Sequence, residues 1–278
     1  MWETISDWVA KLLDILYSFT GSWGIAIILF TLIIRAITHP LNKKQVVSMQ
    51  KMQRLQPQVK VLQEKFKNDK EALNRETMQL YKDNKVNPMA GCLPLLVQLP
   101  IFILLYQVLI KLVSTAGFSA TFLGIDLGGS VYSTVIEACA ASTVGLSEEV
   151  ISGLQYLKNM SSVNLGITNV GYAVLNNPAG LLNFNFYLAN SLVLLANGGL
   201  MWYQQKLTSS GNPQMAVMSI MMPILITFIC LSLPGGVLLY WGVSSLLAAV
   251  QQLITAKRTK QEMKEKPALY KDKPMGNH

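Results

Sequence analysis

Residues 23–41 read WGIAIILFTLIIRAITHPL. From Trp23 to Thr38 the run is apolar except at Thr31 and Arg35, and His39-Pro40 closes it. A hydrocarbon core about 30 Å thick takes roughly 20 such residues as a helix, so this stretch is a candidate first span. Four more follow: Cys92–Val113, Leu181–Tyr203, Met215–Leu233 and Gly236–Ala256. Pro234-Gly235-Gly236 turns the chain between the last two and makes them an antiparallel hairpin. The pattern predicts an all-α membrane protein with five transmembrane helices.

Composition agrees. Of 278 residues, 51% are hydrophobic and 14% charged, against roughly 25% charged in soluble domains. The net charge of +8 is read as orientation of a membrane protein rather than as a nucleic-acid footprint. The segment 42–87 holds eleven of the 23 Lys and Arg, the tail from Lys257 seven, and the short loop after the third stretch one, Lys206. Five spans put all three segments on one side, which predicts the N-terminus outside and the C-terminus in the cytoplasm.

The expected organisation is an interfacial amphipathic helix (1–21), a first span (22–41), a cytoplasmic helical hairpin (42–87) and a second span (88–113). An extracytoplasmic insertion (114–180), a third span (181–205), a short cytoplasmic loop (206–214), the fourth and fifth spans (215–256) and a basic, disordered tail (257–278) complete it. Residues 1–21 lack the basic start of a secretory signal. Trp8, Leu12, Ile15, Leu16 and Phe19 share a helical face opposite Asp7, Lys11, Asp14 and Ser18, which suits a helix lying in the interface. The competing reading is the start of a longer first span, and Gly21-Ser22 argues against it. In the hairpin, Val47, Met52, Leu55, Val59, Leu62 and Phe66, then Leu73, Met78, Leu80 and Tyr81, recur at helical steps. Pro57 interrupts or kinks the first helix, and Asp69 is placed to cap the second. No internal repeat is visible, which weakens an inverted-repeat transporter.

Few residue types here carry chemistry. Cys92, Cys139 and Cys230 are scattered, and His39 and His278 are the only histidines. No metal site, disulfide framework, cofactor or catalytic residue is expected. No Asp, Glu or His lies inside an apolar stretch to relay protons, and the chain is not read as an enzyme. Arg35 is the one charge well inside a span. A cation there costs roughly 2.5–3.5 kcal/mol, which marks a functional site; it also lies four residues before His39, within reach of a snorkel to the interface. Gln98 and Gln107 sit in the second stretch. Asn183, Asn190, Asn197 and Gln204 recur every seven residues in the third, a stripe that either glues helices together or faces a wet cavity. Met215, Met218, Met221 and Met222 open the fourth stretch and suit either promiscuous apolar contacts or core filling.

Taken together, these residues resemble one family. The run from Gly24-Ile25-Ala26 through Arg35 to Pro40-Leu41 is similar to the first core span of the YidC family of membrane protein insertases. So are Leu55-Gln56-Pro57, the run Asn87-Pro88 through Gly91-Cys92-Leu93-Pro94 to Gln98-Leu99-Pro100, and Leu233-Pro234-Gly235-Gly236 through Tyr240-Trp241. The short form resembles members from Gram-positive bacteria. The resemblance implies five helices around a hydrophilic groove, open to the cytoplasm and lipid and closed outside. It implies a membrane insertase and chaperone in a bacterial cell membrane, with a client-binding groove of Arg35, Thr31, Gln98 and Trp241; the third span adds one of Asn183, Asn190 and Asn197, and Asn190 is the candidate taken. Nascent membrane proteins are the expected clients; the ribosome, the Sec translocon and anionic lipids are the expected partners; no small-molecule substrate is expected. An anion transporter or channel with Arg35 as its binding site is the competing function.

Overall fold

The computed structural model describes residues 2–84, 86, 93–116, 121–141, 146–159, 167–208 and 213–265. The Asn87–Cys92 motif, the start of the second expected span and the end of the tail lie outside these residues. The described chain is almost wholly helical. Its helices are α1 (Trp2–Thr20), α2 (Trp23–Arg54), α3 (Gln56–Lys65), α4 (Lys70–Asp83), α5 (Leu93–Ala116), α6 (Val131–Ala141), α7 (Glu148–Asn159), α8 (Ile167–Asn176), α9 (Leu188–Thr208), α10 (Pro213–Cys230) and α11 (Gly235–Glu265). Two-residue strands β1 (Thr121–Phe122) and β2 (Ile125–Asp126) pair antiparallel before α6. Two 3-10 turns, Pro178–Leu182 and Phe184–Phe186, precede α9. Among the described residues, α2 and residues Gly235–Thr255 of α11 are long and apolar enough to cross a membrane, and shorter apolar runs occupy Gln98–Leu109, Val131–Ala141 and Met221–Cys230.

The chain forms two compact units. The first comprises Met1–Ile34, Leu99–Leu200 and Pro223–Ser245. Its core joins Leu13 of α1, Ile27 and Phe30 of α2, Leu105, Val108 and Leu109 of α5, Ile125 and Leu127 of the β-loop, and Val237, Leu239 and Tyr240 of α11. Gly21, at φ 64, ends α1 as a left-handed cap whose N–H reaches the Tyr17 carbonyl at 2.7 Å. The apolar residues of α1 divide between two surfaces. Leu12 and Leu16 flank buried Leu13 on the core, while Trp8, Ile15 and Phe19 point outward.

Residues between β2 and α9 fold as a helical cluster of this first unit. Seven of the eleven residues of α6 are buried, because α6 packs in both directions and carries one charged residue, Glu137. Tyr132, Ile136 and Cys139 join Leu154 of α7 and Ala173 of α8. Val131 and Val135 join Leu194, Cys230, Leu233 and Leu238.

The second unit comprises Arg35–Gln98, Met201–Met222 and Leu246–His278. Met52, Leu55, Val59, Leu62, Leu80 and Val86 form its core, with Phe66, Leu73 and Tyr81 packed against them; Met78 is exposed. Pro57 sits in the first turn of α3, where its missing N–H costs nothing. The Asp69 carboxylate caps α4 by accepting the Ala72 N–H at 2.9 Å.

Three element boundaries differ from the sequence expectation. His39-Pro40 does not close the first helix, since α2 runs through Pro40 to Arg54. A proline removes one backbone donor, and a long helix absorbs that loss where neighbouring polar groups re-satisfy the backbone. Side-chain donors reach backbone carbonyls on either side of the one at Ala36 that Pro40 leaves without its helical donor: Thr38 Oγ1 donates to the Arg35 carbonyl at 3.5 Å, and Gln251 Nε2 of α11 to the His39 carbonyl at 3.4 Å. The third apolar stretch becomes α-helical only at Leu188, because Pro178 and the Asn-rich run after it favour turns. Finally, α11 continues to Glu265, so residues 257–265 are helical rather than disordered.

Candidate functional site

The five residues expected to form one groove occupy both units: Thr31, Asn190 and Trp241 belong to the first, Arg35 and Gln98 to the second. Arg35 and Gln98 are each half-buried. Arg35 lies on α2 amid Leu32, Ile33 and Ile37, all apolar and exposed. Ile33 and Ile37 lie across the helix from Arg35 and Leu32 lies one turn before it, so the exposed apolar residues belong to this stretch of α2 as a whole.

Within the first unit, Thr31 is fully buried, and its hydroxyl donates to the Ile27 carbonyl at 2.7 Å. The oxygen keeps acceptor capacity after that bond. Trp241 is half-buried and meets Phe102 of α5 edge-on, at 5.5 Å between centroids and 78° between planes. Tyr240, one position earlier on α11, is buried against Phe30 at 6.4 Å. The last helix thus turns one aromatic into the core and the next toward its flank.

Asn190 does different work. It is 0% exposed. Its Oδ1 accepts the Asp126 N–H at 2.8 Å, and its Nδ2 donates to the Asp126 and Gly129 carbonyls at 3.1 and 3.2 Å. Both amide hydrogens are committed to the Asp126–Gly129 loop. That loop is tied in turn to the start of α11, where Gly235 and Gly236 donate to the Gly129 and Leu127 carbonyls.

Nor does the seven-residue stripe act as one surface. Asn183 lies between the 3-10 turns, ahead of α9, and donates to the Ala138 carbonyl at 3.1 Å. Asn197 donates to the Leu238 carbonyl of α11 at 3.0 Å. Its Oδ1 is buried and has no hydrogen-bond partner among the described residues. A Cβ on Gly242 would come within 3.0 Å of that oxygen, and one on Gly198 within 2.8 Å of the Thr227 hydroxyl. Small residues here let α9, α10 and α11 approach closely, the packing mode of helices in lipid. Sequence reading missed the Asp126–Gly129 loop as the partner of Asn190. The adjacent glycines Gly128 and Gly129 were the available signal, since they free backbone carbonyls for approach.

Residues 15–263 match the family model described as 60Kd inner membrane protein. The chain is 34% identical over 253 residues to the membrane protein insertase YidC of Lawsonia intracellularis, covering 91% of this chain and 38% of that one. It is 32% identical over 250 residues to the protein of the same name from Helicobacter pylori, covering 90% of this chain and 36% of that one. The chain therefore spans little more than a third of the length of these curated relatives. Among solved structures it is similar to one titled "Active YidC insertase crystal structure with the first transmembrane domain resolved", with a TM-score of 0.59 and 27% identity over 92% of this chain and 46% of that chain.

Proposed function

The chain belongs to the YidC family of membrane proteins, and from that premise we propose that it is a membrane protein insertase and chaperone. It receives client transmembrane segments in a cytoplasm-open polar groove and releases them into lipid, alone or with the Sec translocon. In this reading α2, α5, α9, α10 and α11 are the five spans, the N-terminus is outside, and the C-terminus is cytoplasmic. The relatives' name supports the activity, and the concentration of Lys and Arg in residues 42–87 and the tail supports the orientation.

The observation that carries the mechanism is Arg35, a half-buried cation on α2 one turn beyond Thr31. A client's translocated segment must cross hydrocarbon, at roughly 2.5–3.5 kcal/mol for each charged side chain at the centre. A wet groove replaces part of the lost hydration. Arg35 attracts acidic residues of that segment, and the lower local dielectric strengthens the attraction. In this reading Thr31 and Gln98 are the groove's neutral polar groups, and Trp241 flanks the path by which the apolar client helix leaves. No nucleotide is involved; hydrophobic transfer and the membrane potential drive the step. We assign Asn190 a positioning role, because its amide is committed to Asp126 and Gly129. The Asn197 Oδ1 is then a buried acceptor of the third span without a partner among the described residues. The basic hairpin and tail face anionic headgroups and the ribosome.

The test is client insertion in cells depleted of their own insertase. Arg35→Ala, expressed at the wild-type level, is expected to impair insertion of a client with acidic translocated residues while sparing one with a neutral segment. Equal insertion of both clients would remove Arg35 from the mechanism. Saturable exchange of small anions by the purified protein, lost in Arg35→Ala, would favour an anion transporter instead.

A further inference from the structure

Residues 159–205 contain no Asp, Glu, Lys, Arg or His. This run includes α8, both 3-10 turns and most of α9. One face of α8 is committed to the helical cluster: Val170, Ala173 and Val174 pack toward Tyr132, Ile136, Cys139 and Leu154. Just past its end, Asn177 donates to the Cys139 carbonyl at 2.6 Å. The opposite face carries Tyr172 and Leu175, with Leu175 84% exposed.

A helix on a water-facing lobe turns charged or polar residues outward. Neighbouring α7 does so, with Glu148 and Glu149 exposed in its first turn. By contrast α8 carries no charged residue, and its outward face sets Tyr172 and Leu175 beside the neutral amides of Asn169 and Asn176. Its outward surface continues through exposed Leu182, Phe184 and Phe186 to exposed Leu188, Leu192 and Leu195 on α9. Steps of four and three residues place those last three on one face of α9. The apolar surface therefore passes from the insertion onto the proposed third span with no charged residue between.

We propose that α8 and the 3-10 segment before α9 lie in the outer leaflet, at the boundary of headgroups and acyl chains. The insertion is thus seated in the membrane by one side, while α7 faces water. The inference rests on the reading of α9 as a span. A lipid surface is the occupant that the chemistry fits. It accepts an uncharged face of leucines and aromatics without specific partners, and aromatic rings such as Tyr172, Phe184 and Phe186 favour this depth. A protein partner fixed by charge would find nothing here to pair with.

The experiment places the fluorophore NBD on single cysteines at Leu175, Leu195 and Glu149 of the full chain, with Cys92, Cys139 and Cys230 replaced by Ala. The protein is reconstituted into phosphatidylcholine–phosphatidylglycerol vesicles. NBD at 175 is expected to emit to the blue of NBD at 149 and to be quenched by lipids brominated near the headgroup. At 195 it is expected to be quenched by lipids brominated deeper in the chain. Iodide-quenched, lipid-insensitive emission at 175 with lipid-quenched emission at 195 would overturn the proposal and leave the span reading intact. Shielding at 175 from both quenchers would also overturn it, in favour of a protein partner or a second copy. Loss of lipid quenching at 195 would sink the span reading and the proposal with it. If the cysteine replacements impair folding, benzoyl-phenylalanine at 175 in the otherwise unaltered chain reads the same contact: adducts to lipid support the proposal and adducts to protein contradict it.

Discussion

Asn190 grips the peptide of Asp126 at both ends, accepting its N–H at 2.8 Å and donating to its carbonyl at 3.1 Å. One side chain thereby takes the place of a neighbouring strand and fixes the loop after β2 to the first turn of α9. Because that loop also accepts the N–H groups of Gly235 and Gly236, the start of α11 depends on the same clamp.

Removing the clamp is expected to be costly. Asn190→Ala leaves the part-buried Asp126 N–H and carbonyl without this partner, at about 1–3 kcal/mol for a group left unsatisfied, while the Gly129 carbonyl keeps the Gly235 N–H. Asn190→Asp keeps the acceptor but sets a carboxylate against two carbonyl oxygens, so it is expected to be no better. Thermal denaturation in detergent checks both variants. A melting temperature equal to wild type for Asn190→Ala would show that the clamp does not hold the fold.

Two glycines separate close approach from simple helix propensity. A Cβ on Gly235 would collide with the Asp126 carbonyl, whereas one on Gly199 meets nothing within 4 Å. Gly235→Ala is expected to destabilise by about 1–3 kcal/mol through overpacking. Gly199→Ala, inside α9, is expected to stabilise by up to about 1 kcal/mol. Paired denaturation curves decide, and the same sign of shift in both variants would contradict the packing described.

How far the sequence revealed this architecture depended on whether a signal was local. Apolar runs marked the positions of α2, α5, α9, α10 and α11, and Asp69 marked the start of α4, because each is set by its own residues. Pro40 misled, since a proline's local cost says nothing of the neighbours that absorb it. Asn183 misled too: a seven-residue repeat implies one helical face only if the helix extends across it, and α9 begins at Leu188. The partners of Asn190 were invisible because Asp126 is 64 residues away. The charge inside an apolar run marked Arg35 and family motifs supplied Trp241, but no spacing rule distinguishes an amide that lines a groove from one that holds a loop.

The thiol of Cys139 reports folding of the insertion. Cys139 is buried, and burial pushes its pKa up from the ordinary thiol value. The thiolate is the reactive form, so both access and ionisation protect it. In the native protein near neutral pH, N-ethylmaleimide is expected to leave Cys139 unmodified over a period that modifies the unfolded chain completely. Mass spectrometry of digested protein makes the measurement, and full native modification would show that α6 is not packed as described.

The ion pair of Lys111 with Asp7, at 3.3 Å, joins α5 to α1 with both side chains more than half exposed. Solvent screens such a pair, and it is expected to contribute about 0–1 kcal/mol. Asp7→Asn should melt close to wild type and be insensitive to added salt. A large loss of stability would mean that α1 is anchored by charge rather than by Leu13 and its neighbours.

The central claim is that a client segment passes between polar groups of this chain on its way to lipid. It is tested most directly by benzoyl-phenylalanine at Trp241, a position whose ring already packs edge-on against Phe102. Ribosome-bound nascent chains stalled with a first transmembrane segment just emerged are irradiated in membranes carrying the labelled protein. The account predicts adducts between position 241 and that segment, diminished when the chain is extended far enough to release into lipid. Adducts to lipid alone at every chain length, with client insertion still dependent on the protein, would contradict it.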